Sequence, residues 1–133
     1  MKKPIPAIPL HVENARGHYP TDLCFRPGDG VCRSFVHRDY TISMHTHGFI
    51  ELNFIVGGRG VHALSGATVA LRKGDVFVIP PGMPHGYRSL RQLDVRHVLV
   101  HPEWAARRQV ALQSLPGYAG FFTVEPRLRA QAG

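Results

Sequence analysis

From Leu23 to Val100 the chain is a succession of short β-branched and aromatic runs, each cut off within a few residues by Gly, Pro or Asp. Runs so short and so closely punctuated leave little room for helix and specify an all-β sandwich or barrel. The clearest is Phe49 to Val56. Strand side chains alternate, so Ile50, Leu52, Phe54 and Val56 share one face, while Phe49, Glu51, Asn53 and Ile55 share the other. The first face is apolar and the second mixed. Gly57-Gly58 is expected to stop this run, and Val61 to Leu64 resumes it. Ser65-Gly66 and Lys73-Gly74-Asp75 then bound a strand over Thr68 to Arg72. Pro81-Gly82 fits the two central positions of a type II turn, the proline setting φ and the glycine accepting a positive one. Leu93 to Val100 is the last clear strand.

The flanks differ from this body. Residues 1–22 hold four of the eleven prolines and no lasting periodicity, which predicts an extended arm. Pro102 suits a first helical position, so a helix is expected over Glu103 to Gln113, with Trp104, Arg108, Ala111 and Leu115 on one side. Pro116-Gly117 ends it. The expected organisation is an arm (1–22), a barrel with its following helix (23–115) and a linker-like tail (116–133).

At 133 residues with 44% hydrophobic and 19% charged side chains, the chain has the size and apolar content of one packed domain and no run long enough to span a bilayer. A formal charge of +7 favours anionic partners, yet the arginines are scattered and form no groove-reading helix, so this chain is not expected to contact DNA itself. Lys2 and Lys3 are followed by Pro4, Pro6 and Pro9, which interrupt the apolar stretch of a secretory signal; a cytoplasmic location is expected. Cys24 and Cys32 lack CxxC spacing and are read as reduced thiols in or near the core.

His45, His47 and Glu51 have one parity, so in an extended strand all three project from the face that also carries Asn53. His85 follows the Pro81-Gly82 turn, and a neighbouring antiparallel strand would bring it to the same pocket. Three imidazoles and a carboxylate suit a divalent Zn, Fe, Mn, Ni or Cu ion, with positions left open for water or substrate. Such a site needs neutral histidines and is expected to weaken below about pH 6.5.

These residues resemble the two cupin motifs. His45, His47, Glu51 and Gly58 match His-x-His-x3-Glu-x6-Gly, and Gly74, Pro80, Gly82 and His85 match Gly-x5-Pro-x-Gly-x2-His. Ser89 stands where an Asn often follows the second motif. The resemblance implies a double-stranded β-helix, a small jelly-roll barrel with the site at its mouth.

A narrower resemblance covers nearly the whole chain. His47-Gly48-Phe49-Ile50-Glu51-Leu52, the run from Gly74 to His85, and Leu93 to Trp104 are similar to the N-terminal effector domain of AraC-type transcription regulators, as is the tail from Leu115 to Arg129. The resemblance implies a domain that binds a small molecule, often a sugar, and forms a homodimer, with DNA read by helix-turn-helix units outside these 133 residues. Asn53 is then the candidate effector-binding residue. A ligand entering the barrel is expected to order the arm over it.

Two other function classes remain open. One is a metal-dependent cupin enzyme, an oxygenase or isomerase, with His45, His47, Glu51 and His85 holding the ion. The other is a barrel that only dimerises. His62, His97 and His101 are read as packed or hydrogen-bonded, His11, His18 and His37 as exposed or arm residues, and Trp104 as core or dimer packing. Arg33 and Arg38 are read as surface residues.

Overall fold

The structure, a computed structural model, describes residues 17–38 and 41–132. In chain order the elements are β1 (His18–Tyr19), α1 (Thr21–Cys24), β2 (Cys32–Arg38), β3 (Ile42–His47), β4 (Ile50–Leu64), β5 (Ala67–Arg72), β6 (Val76–Ile79), β7 (His85–Val100), α2 (Pro102–Arg107), α3 (Gln109–Gln113), a π-helical turn (Gly120–Val124) and α4 (Glu125–Gln131).

The long strands β4 and β7 run antiparallel over their whole length and belong to both walls of the barrel. At one end β7 is flanked by β2 and β4 by β6. At the other, β3 flanks β7 and β5 flanks β4. The pairing of β4 with β7 slips between Ile55 and Val61, where both strands bend from one wall into the other. Gly57-Gly58 is therefore a bend within one strand and not its end. Gly58 has φ +70°, and a Cβ built on it would collide with the Gln92 carbonyl. Only a residue without a side chain fits there.

The core lies between the walls. Ile42, Ile55, Leu71, Phe77, Ile79, Tyr87, Leu93 and Val95 form its main cluster. It is the mixed face of Phe49 to Val56 that points inward: Glu51, Asn53 and Ile55 are buried, whereas Ile50, Leu52 and Phe54 are half-buried and Val56 is exposed. The barrel thus spends inward positions on polar groups, at a cost in apolar burial that a purely structural barrel would not accept.

The flanks are more ordered than the sequence suggests. Residues 1–16 of the expected arm, with His11, lie outside the described residues. The rest of it is built into the fold: β1 pairs in parallel with Thr46 and His47 of β3, and Tyr19 packs with Cys24, Phe25, Phe49 and Leu99 in a second cluster. The boundary expected at residue 22 falls inside α1. His18 is not a loose arm residue, since its Nδ1 lies 2.8 Å from Thr46 Oγ1. Cys24 is buried and Cys32 exposed. The side chains of Arg33 and His37 lie outside the described residues, and Arg38 is a surface residue facing Asp94.

The single helix expected over Glu103 to Gln113 is two, because Arg108 leaves helical geometry at φ −116°, ψ 16°. Its guanidinium instead covers the Trp104 ring at 4.8 Å, and Ala105, not Trp104, is the buried contact. The tail is no detached linker: the π-helical turn packs on β6, α4 packs on β5 and β6, and Pro126 is buried. Among the described residues no helix is long and apolar enough to cross a membrane.

His101 caps α2, its Nδ1 accepting from the Glu103 N–H at 3.2 Å. His101→Ala is expected to lower unfolding free energy by about 1 kcal/mol, and His101→Asn to restore most of it, as chemical denaturation would show.

Candidate metal and effector centre

His45 and His85 are register partners across β3 and β7, and His47 lies two residues farther along β3. Parity and pairing thus bring three buried imidazoles together, with ligand atoms within 4.8 Å of one another. Each ring is oriented by the main chain. His45 Nδ1 donates to Ser43 O, His47 Nδ1 to Phe49 O and His85 Nδ1 to Met83 O, all at 2.9 Å. A carbonyl only accepts, so each Nδ1 carries the proton, and in the neutral ring the lone pair is on Nε2.

Glu51 stands beside this trio. Its Oε1 accepts from His97 Nδ1 at 2.8 Å, and its Oε2 lies 3.0 Å from His47 Nε2. With the His47 proton on Nδ1, that second contact sets a lone pair against a carboxylate, an arrangement that needs a proton or a cation shared between them. Two ligands of one ion commonly sit about 3 Å apart at metal–ligand distances near 2.1 Å. The donor set is that of a divalent transition metal.

The electrostatics agree. Burial pushes the His85 proton affinity well below its ordinary value near 6.5; Glu51 opposes this, and His45, His47 and His62 reinforce it. His85 is therefore neutral, as a ligand must be. Burial alone would raise the Glu51 carboxyl, but His97 and His47 outweigh it by charge and hydrogen bonding and hold it well below the usual range. Glu51 is an anion.

Deeper in the barrel lie groups with a different character. Asn53, in register with Phe77 on β6 and His97 on β7, is fully buried, and among the described residues neither Nδ2 nor Oδ1 has a hydrogen-bond partner. His62 is fully buried too, between the rings of Phe77 and Tyr87, with neither ring nitrogen bonded. Burial first, then the positive charge of Arg129, pushes its pKa down to about 3. His62 and His97 are buried, as the sequence reading has it, but His97 also holds Glu51, a role visible only once β4 and β7 are paired. The sequence reading also missed Arg129, which reaches from α4 to the Phe77 ring at 4.1 Å. Its only local signal is the i,i+4 spacing from Glu125, to which its Nε donates.

Two bent strands shared by both walls, with a histidine cluster between them, define a cupin-type barrel. Structural neighbours agree: a cupin-2 domain protein from Shewanella frigidimarina matches 54% of this chain and 72% of its own at a TM-score of 0.50 and 16% identity. Salicylate 1,2-dioxygenase from Pseudoaminobacter salicylatoxidans matches 58% of this chain and 22% of its own at 0.51 and 24%. At these identities both show the fold alone. The chain belongs to the family described as the AraC-like ligand binding domain, which matches residues 28–133. Among curated proteins, the HTH-type transcriptional activator RhaR of Enterobacter sp. (strain 638) is 26% identical over 74% of this chain, and that of Salmonella arizonae 30% identical over 57%. The matches span 35% and 27% of those relatives, about a third of their length.

Proposed function

We propose that this domain is the effector-sensing part of a transcription regulator and takes a small polar molecule, a sugar being the leading class, into the barrel beside Asn53. The observation that carries this is the Asn53 amide, fully buried with both polar atoms unbonded by the fold. Burying an amide that way costs about 1–3 kcal/mol unless a polar guest satisfies it. Hydroxyl groups donate and accept, as the two ends of an amide require. Isothermal titration against a panel of monosaccharides should find a binder, and Asn53→Ala should weaken it roughly tenfold or more. No binder, or equal affinity in the variant, overturns the reading.

The same proposal places a divalent ion on His45, His47 and His85, with Glu51 as the fourth ligand through the oxygen now against His47. The ion would supply Lewis acidity or a fixed positive charge; the chain supplies neutral, main-chain-oriented rings and a buried anion. Elemental analysis after metal loading is expected to give one ion per chain, and His85→Ala to lower affinity by about a hundredfold or more. A cupin enzyme is the second reading, favoured by the same trio, and turnover of a substrate by metal-loaded protein would select it. Homodimerisation is proposed through the C-terminal segments, where Val110, Leu115, Val124 and Leu128 expose apolar surface to a second copy. DNA would be read by segments outside this chain.

A further inference from the structure

A cleft lies away from the histidine centre. β5 and β6 both pair with β4, but along different stretches of it, and α4 lies across them. Between these elements is a cleft of about 570 Å³ lined by Arg59, Val69, Leu71, Arg72, Val76 and Arg129, together with Ala70 and Asp75.

Its lining is two-sided. Val69, Leu71 and Val76 are apolar, while Arg59, Arg72, Arg129 and Asp75 make up the charged part of the lining. Asp75 is occupied by its own turn, where Oδ2 accepts from the Arg72 N–H at 2.9 Å and Oδ1 lies 3.9 Å from Arg72 Nε. Arg129 is the anchor. Its side chain is only 10% exposed, its Nε donates to Glu125 Oε1 at 2.6 Å, and its guanidinium rests on the Phe77 ring. Its Nη1 is buried without a hydrogen-bond partner. A guanidinium held on one edge by Glu125, on one face by an aromatic ring and with a buried N–H unbonded is prepared for an acceptor carrying negative charge. Arg59 and Arg72 add positive charge at the rim.

We propose that this cleft, which none of His45, His47, Glu51 and His85 lines, is a second ligand site, for a small organic carboxylate with an apolar body. The carboxylate would pair with the guanidinium groups of Arg129, Arg59 and Arg72 that line the cleft, and the hydrocarbon would lie on Val69, Leu71 and Val76. Inorganic phosphate offers the charge but nothing for the apolar wall. Because Arg129 belongs to α4, a bound anion ties that helix to β5. The proposal is independent of the metal.

Cyclohexanecarboxylate and its uncharged twin cyclohexanecarboxamide test it by isothermal titration on the full chain, with inorganic phosphate as a third arm. The carboxylate is expected to bind at millimolar concentration or better, and the amide and phosphate roughly tenfold more weakly or not at all. Arg129→Gln should remove binding. Should that variant fail to fold, the surface pair Arg59→Gln with Arg72→Gln decides, with a roughly tenfold loss expected. Protein stripped of metal by chelator and protein loaded with zinc should bind the carboxylate alike. A carboxylate that does not bind, an amide or phosphate that binds equally, or affinity that requires zinc but is kept in the arginine variants overturns the proposal.

Discussion

Gly58→Ala is expected to leave little folded protein in solution. The residue sits at φ +70°, where a side chain costs about 1–2 kcal/mol, and its new Cβ would drive into the Gln92 carbonyl of the strand it pairs with. Main chain on both sides cannot rotate away as a side chain can, so overpacking adds about 1–3 kcal/mol. Together these approach the whole stability of a small domain, about 5–15 kcal/mol. Gly66→Ala is the control. It too has a positive φ, of +75°, but nothing lies within 4 Å of its Cβ position, so only the conformational cost of about 1 kcal/mol remains. Urea denaturation of the two variants should separate them clearly; equal losses would mean that the bend between the walls is not set by steric closeness.

Acid is expected to unfold the chelator-treated domain well above the pH at which its exposed carboxylates titrate. His62 has a folded pKa of about 3 against an ordinary 6.5. Above 6.5 both folded and unfolded states leave it neutral. Between 6.5 and 3 the unfolded chain takes a proton that the fold refuses, so stability falls by about 1.4 kcal/mol per pH unit, about 5 kcal/mol in all. His85 shifts in the same direction. Glu51, held below its ordinary 4.5, adds a further loss as pH drops through that value toward its folded pKa. Melting temperature followed from pH 7.5 down to pH 4 should therefore fall steeply below about 6.5. His62→Phe, which refuses no proton, should flatten the upper part of that fall. A melting temperature that holds to pH 4 would contradict the buried, neutral state of these rings.

Part of the candidate site was legible in the sequence because strand parity is local: counting puts His45 with His47 and Glu51 with Asn53, but the chain bends at Gly48-Phe49 between β3 and β4, so the fold and not one extended strand joins the two pairs. His85 needed the motif spacing as well. What could not be read was pairing. His97 meets Glu51 across 46 residues of sequence, and only the register of β4 against β7 sets them side by side. Gly57-Gly58 reads equally as a strand end or a bend, and the partner strand decides between them. Arg129 looks like one more solvated charge in a basic tail until α4 is laid over β5 and β6. Likewise, alternation over Phe49 to Val56 separates the two faces but does not say which turns inward. Here polar groups won that place, as expected where a barrel keeps its interior for a guest and accepts weaker packing in return.

The three imidazoles of the candidate centre take their bearing from carbonyl oxygens of Ser43, Phe49 and Met83. Every amino acid brings the same carbonyl, so aiming the rings asks nothing of those neighbours' side chains, and Phe49 is fixed instead by its place in the second core cluster. Replacing one of the three histidines would thus remove one donor while the main chain that aims the other two stays in place.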